Sequence, residues 1–230
     1  MRAGIRHPWD LSPREAAALQ TRLREKLRLA PPRRAPRTVA GADVSYPRFS
    51  RRAVAGLVVM SFPDLEPIEE SFAAGEMTFP YVPGLLSFRE GPLLEAAFRG
   101  LRRKPDLILF DGQGIAHPRG FGLAAHLGLR LGTAAVGCAK SRLFGEGPDP
   151  PDRRGAWSPL RAPGGGEVVG AALRTREGVK PIFVSPGHLA DQEAAIDWVL
   201  AAAPRHRLPE PIRAAHRRTN EERRRRGITS

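Results

Sequence analysis

The sequence predicts an α/β fold: a mixed sheet, antiparallel in its first three strands and parallel afterwards, flanked by helices. Three observations point to it. Three β-like runs follow one another across residues 38–75 with short connections, the pattern of antiparallel neighbours. From residue 89 onward, helical and strand-like segments alternate, and strands joined through helices pair in parallel. Hydrophobic residues make up 41% of the 230, enough for the core of one sizeable domain and too many for global disorder. We expect one domain over residues 1–230, with a helix and linker in residues 1–36 and a basic tail in 221–230.

Ser12-Pro13-Arg14-Glu15 is a helix start: a serine N-cap, a proline in the first turn and a glutamate that closes a capping box. Ala16, Leu19, Leu23 and Leu27 make one apolar stripe, so this helix should run to about Leu29 and stop before Pro31-Pro32. A basic, proline-rich linker, APPRRAPR, leads to a strand over 38–46, TVAGADVSY. Further strands are expected at 53–62 and 66–75, the first two joined in a hairpin by residues 47–52. A helix over 89–102 precedes a strand at 106–110, and a helix over 120–129 precedes one at 133–137. Residues 144–166, rich in proline, glycine and charge, read as a long surface loop. Strands at 167–175 and 181–187, a helix at 189–203 and a strongly basic helix at 209–226 complete the chain.

The 37 Lys and Arg against 24 Asp and Glu leave a formal charge of +13. Such an excess attracts polyanions, nucleic acid first among them; a generally arginine-rich composition would raise it too. Cys138 is the only cysteine, which excludes an intrachain disulfide and cysteine-rich zinc sites. It reads as a small buried thiol. Residues 1–15 have no apolar signal core, and the longest apolar stretch, AVAGLVVMSF, is too short and too β-like to span a bilayer. A soluble, cytoplasmic, monomeric protein with no membrane partner is expected.

Three acidic residues carry the chemistry. Asp43 interrupts the apolar run TVAGADVSY, and Asp111 ends PDLILFDGQG. Carboxylates at such positions are costly unless paired or bound to a cation. If their strands are neighbours, with backbones ~4.8 Å apart, they can share a cation. Asp111-Gly112 alone would read as a turn. Glu90 closes PYVPGLLSFRE in what should be the first turn of a helix, where the macrodipole favours acids regardless of function. Three converging carboxylates make an all-oxygen site suited to magnesium, or to manganese.

In Pro80-Tyr81-Val82-Pro83-Gly84 two prolines bracket Tyr81 and stiffen the turn. An aromatic ring pushed outward there can wedge into a base stack; a tyrosine packed on the core is the simpler reading of the composition. Lys140 follows a strand on the presumed C-terminal side of the sheet, where ligands gather. It either stabilises charge at a phosphorus centre or orients the attacking water, or is a solvated surface lysine. His117 is ambiguous. His216 lies among Arg213, Arg217 and Asn220, suited to phosphate contact, proton transfer or outer-sphere metal contact. Arg223–Arg226 suit non-specific phosphate contact or a solvated end.

Read together, VAGADVSY, PYVPGLLSFRE, LILFDGQGIAHPRGFGLAAHLGL, VGCAKSRL and PEPIRAAHRRTN resemble the endonuclease V family of deoxyinosine-directed repair nucleases. The matching stretches fall in the family's order from about residue 38 to residue 220. The resemblance implies a ribonuclease H-like fold in which the first and fourth strands adjoin. It implies that Asp43 and Asp111 bind magnesium, that Glu90 completes the cluster, and that Lys140 and His216 fill the remaining active-site positions. The PYVP run, with Tyr81 at its tip, matches the family's wedge. The expected activity is a nick at the second phosphodiester 3′ to the lesion, leaving 3′-hydroxyl and 5′-phosphate ends. The substrate implied is DNA with deoxyinosine or other deaminated or mismatched bases. A pocket lined by Gly84, Leu85, Gly112 and Gly137 is expected to hold the flipped base, because glycines permit close backbone approach. Two alternatives stay open: an inosine-specific ribonuclease acting on RNA, and a non-catalytic nucleic-acid-binding module.

Overall fold

The structure, a computed structural model, describes residues 4–48 and 50–229. The remaining residues, to which the sequence expectations assigned the start of the N-terminal segment, part of the first hairpin connection and the end of the basic tail, lie outside the described residues.

Eight described strands form one mixed sheet: β1 (Thr38–Ser45), β2 (Arg52–Ser61), β3 (Pro67–Glu76), β4 (Leu107–Phe110), β5 (Ala134–Ala139), β6 (Trp157–Arg161), β7 (Val168–Leu173) and β8 (Ile182–Pro186). Their order is β3-β2-β1-β4-β5-β8-β7-β6. β1, β2 and β3 pair antiparallel, and β4 and β5 join β1 in parallel. The parallel part ends there, since β8, β7 and β6 add antiparallel strands on the far side. The mixed sheet flanked by helices is as expected from the sequence, with this antiparallel extension added.

Alternation along β1 assigns its two faces. Val39 packs with Leu107, Leu109 and Val136 against α4 (Gln192–Ala202) and α5 (Glu210–Arg225). Ala40 and Ala42 pack with Ile108 and Phe110 against α2 (Leu86–Gly100) and α3 (Leu123–Leu131). Gly41 lets α5 lie directly on the strand: a Cβ there would sit 1.9 Å from the Pro211 carbonyl oxygen. α1 (Pro13–Arg24) adds a third apolar cluster, in which Ala16, Leu19 and Leu23 meet Phe79, Phe88 and Phe121.

Three expectations need correction. α1 has the Ser12 capping box but stops at Arg24, because Arg28 is drawn out of helical bonding: its carbonyl accepts from Leu189 N–H and its own N–H donates to His188 Nδ1. The 144–166 segment contains β6, an edge strand, where Pro159 is tolerated. α2 begins at Leu86, so Glu90 lies in its second turn, not its first. The basic helix expected over 209–226 is α5, and residues 221–225 form its end, held by helical-spaced pairs of Glu221 with Arg218 and of Glu222 with Arg225 and Arg226.

Candidate active site

Parallel pairing of β1 and β4 sets Ala42 opposite Phe110, so Asp43 and Asp111 come next on adjoining strands. Asp43 projects to the α5 face, where its Oδ1 meets His216 Nδ1 at 3.5 Å. Its side chain is only 12% exposed, and Oδ2 is buried with no hydrogen-bond partner. Burial raises the Asp43 carboxyl above the ordinary range; His216 opposes the shift and the Asp111 charge adds to it. Glu90 approaches from α2, on the other face. Burial, then the Asp43 charge, push it up to about 8, with Arg89 opposing and Asp111 adding.

Lys140, just beyond β5, places its Nζ 2.5 Å from Asp111 Oδ2. Arg207 donates to the Lys140 carbonyl at 2.8 Å and pins the turn that carries it. Among the described residues no group of three His, Cys, Asp or Glu side chains is drawn together closely enough to hold a metal ion; Lys140 is the cation that Asp111 meets. The donor set nevertheless fits a hard divalent cation. The oxygens are carboxylates, one is orphaned and buried, and burial, with the charges of Asp43 and Asp111 added, raises Glu90, a cost that a bound cation relieves.

His216 is aimed by a chain of hydrogen bonds that the sequence did not reveal. Arg223 Nε donates to Ser45 Oγ at 2.9 Å, and Ser45 Oγ donates to Asn220 Oδ1 at 2.7 Å. Asn220 Nδ2 then contacts His216 Nε2 at 3.3 Å. With Nε2 accepting, Nδ1 carries the proton toward Asp43. Arg223, expected as a non-specific phosphate contact or a solvated end, bonds to Ser45 in this chain.

Beside the carboxylates lies a cavity of about 330 Å³ whose walls include Gly84, Ser87, Asp111, Gly112, Gln113 and Lys140. Of the four residues expected to line a base pocket, Gly84 and Gly112 line this cavity. Leu85 is packed into the α1 cluster. Gly137 lies behind the wall, where a Cβ would come within 2.5 Å of the Gly112 carbonyl oxygen; its lack of a side chain lets the 112–114 loop close on β5. Gln113 was not singled out by the sequence. Its Nε2 donates to the Ser141 carbonyl, which leaves Oε1 buried without a partner.

Gly84 has φ of +79°, a conformation glycine adopts without strain. Its carbonyl accepts from Gln20 Nε2 at 3.1 Å, His117 Nε2 at 2.9 Å and Arg119 Nη2 at 2.8 Å. The Arg119 N–H donates to His117 Nδ1, so His117 is the neutral Nε2–H tautomer. Burial holds its pKa down at about 4. His117 thus anchors the turn. Just before this anchor Tyr81 stands 71% exposed, between exposed Pro80 and Pro83, with Val82 packed inward. Cys138 is fully buried, and burial and the Asp111 charge push its thiol up.

A family profile described as Endonuclease V matches residues 21–217. An Endonuclease V of Myxococcus xanthus is 48% identical over 94% of this chain and 92% of its own length. The structure of Endonuclease V from Streptomyces avermitilis superposes with a TM-score of 0.90 at 42% identity, covering 97% of this chain and 98% of that one. Endonuclease V of Ciona intestinalis, solved with a 24mer DNA containing an inosine followed by a ribo-adenosine, gives a TM-score of 0.78 at 28% identity over 92% and 98% of the two chains.

Proposed function

Because this chain belongs to the endonuclease V family, we propose that it is a metal-dependent DNA-repair endonuclease that nicks deoxyinosine-containing DNA at the second phosphodiester 3′ to the lesion. The observation that carries this reading is the set Asp43, Glu90, Asp111 and Lys140, brought near one another at the ends of the central strands β1, β4 and β5 beside a cavity of about 330 Å³. Asp43 and Asp111 would hold magnesium or manganese directly, with Glu90 completing the shell. A bound divalent cation supplies Lewis acidity to the phosphate and lowers the pKa of water.

The chain's own groups do the rest. Lys140 balances the negative charge that grows on phosphorus. His216, held as the Nδ1–H tautomer, positions a proton beside Asp43. Water adds to phosphorus, the bond to the 3′ oxygen breaks, and a proton goes to that oxygen, leaving 3′-hydroxyl and 5′-phosphate ends. Hypoxanthine differs from guanine by lacking the 2-amino group and from adenine by carrying O6 and N1–H. The buried, unpartnered Gln113 Oε1 is an acceptor available to N1–H. Tyr81 fills the gap left by the flipped base.

We place the protein in the cytoplasm, acting as a monomer in a single catalytic domain; no described helix is long and apolar enough to cross a membrane. The test is cleavage of matched inosine-containing DNA and RNA oligonucleotides with and without magnesium. Magnesium-dependent nicking of the DNA is expected, whereas cleavage of RNA alone would transfer the activity to RNA. Tyr81→Ala should weaken binding to an inosine duplex about tenfold, the loss of one aromatic–base stack, and leave the metal requirement unchanged. Unaltered affinity would make Tyr81 a packing residue.

A further inference from the structure

We infer that a second cavity, built on the β1–β2 side of the carboxylates, holds the nucleotide of the cleaved strand that lies beyond the scissile phosphodiester. The inference rests on the nuclease reading above and extends it. The cavity, about 570 Å³, is lined by Tyr46, Arg48, Ser50, Arg51, Tyr81 and Arg89. Half of these residues are arginines and none is acidic, although the carboxylate cluster adjoins them. Guanidinium groups so placed match phosphate oxygens in pairs. Arg89 lies with its guanidinium carbon 5.6 Å from the centre of the Tyr46 ring. Its Nη1 donates to the Phe79 carbonyl at 2.8 Å, while its Nε is buried without a partner. Among the described residues, the Arg51 guanidinium makes one long contact, 3.4 Å to the Thr78 carbonyl. The Tyr46 ring, with Arg89 over it, stands in the cavity wall.

Topology gives the direction. Along this edge the strands run β5, β4, β1, β2. The lesion cavity sits at the β5 and β4 end, with Lys140 and Asp111 in its wall. Asp43 follows on β1, and the second cavity is built by the β1–β2 connection, three residues beyond Asp43, together with Arg89, the neighbour of Glu90. A strand with its lesion in the first cavity and its phosphate at the carboxylates reaches the second cavity next. There the next phosphate leaves acidic surroundings for basic ones, and its base meets Tyr46.

The test uses single-stranded deoxyinosine oligonucleotides that end either at the scissile phosphate or one nucleotide beyond it. Binding is followed by fluorescence anisotropy in excess chelator, where no strand is cut. The added nucleotide should tighten binding to the unmutated protein about tenfold, as one phosphate contact plus one stacked base would. Arg51→Ala and Arg48→Ala, both at exposed positions, should each remove most of that gain and lower the salt dependence by about one phosphate contact. A gain that persists in both variants would overturn the inference. So would variants that weaken duplex binding alone, which would assign the cavity to the uncut strand. The nuclease reading is judged separately by magnesium-dependent nicking, so a protein that shows the gain but never nicks refutes that reading without touching the binding measurement.

Discussion

Asp43→Asn is expected to lower nicking of a deoxyinosine duplex by about 10³-fold or more, since the loss of one cation ligand removes several kcal/mol from the barrier reduction. Affinity for the lesion should stay the same or improve, because the variant removes a carboxylate that repels phosphate. The same substitution should stabilise the protein in chelator. Asp43 has its pKa raised by burial, so the folded protein binds that proton more tightly than the unfolded chain does. Stability is therefore lost as pH rises from the ordinary aspartate range through the raised value. Asparagine carries no charge and escapes that loss. Melting temperatures at pH 7 in chelator, with nicking rates in magnesium, give both halves. A variant that is both inactive and less stable would point to a structural rather than a ligand role for Asp43.

Gly41→Ala should destabilise the fold by about 3 kcal/mol, the upper end of the cost of overpacking, which for a chain of this size lowers Tm by roughly 6–12 °C. The added methyl would lie 1.9 Å from the Pro211 carbonyl oxygen, and a backbone atom cannot step aside as a side chain can. The start of α5 must lift away from β1, and His216 moves off Asp43 with it. Activity should fall beyond what the loss of folded protein explains. Differential scanning calorimetry and nicking rates below the transition separate these two effects. An unchanged Tm would mean that α5 is not seated on β1 in solution.

The carboxylates were legible because a charged group among Val39, Ala40, Ala42 and Val44 needs a physical reason. Pro80 and Pro83 likewise announced a stiff turn around Tyr81, which stands exposed. The groups that aim and support these residues were not legible. Ser45, Asn220 and Arg223 meet only after α5 is laid across β1. Gln20 reaches the Gly84 carbonyl from 64 residues away, and no local pattern encodes such a contact. β6 was hidden by its own composition, for a strand containing Pro159 resembles a loop until it is seen at an edge. The helix stripe through Leu27 overran the true end of α1 because bonds from residues 188–189, far along the chain, claim Arg28. Nor did the sequence show that Tyr46, Arg48 and Arg51 share a cavity with Arg89.

The central claim is that Asp43, Glu90 and Asp111 form one divalent-cation site on which strand cleavage depends. Manganese binding followed by electron paramagnetic resonance, on the unmutated protein and on Asp43→Asn, tests it most directly, with nicking of an inosine duplex measured on the same samples. Bound manganese should fall in the variant and nicking should fall with it. Equal manganese binding by both proteins, or full nicking in excess chelator, would contradict the account.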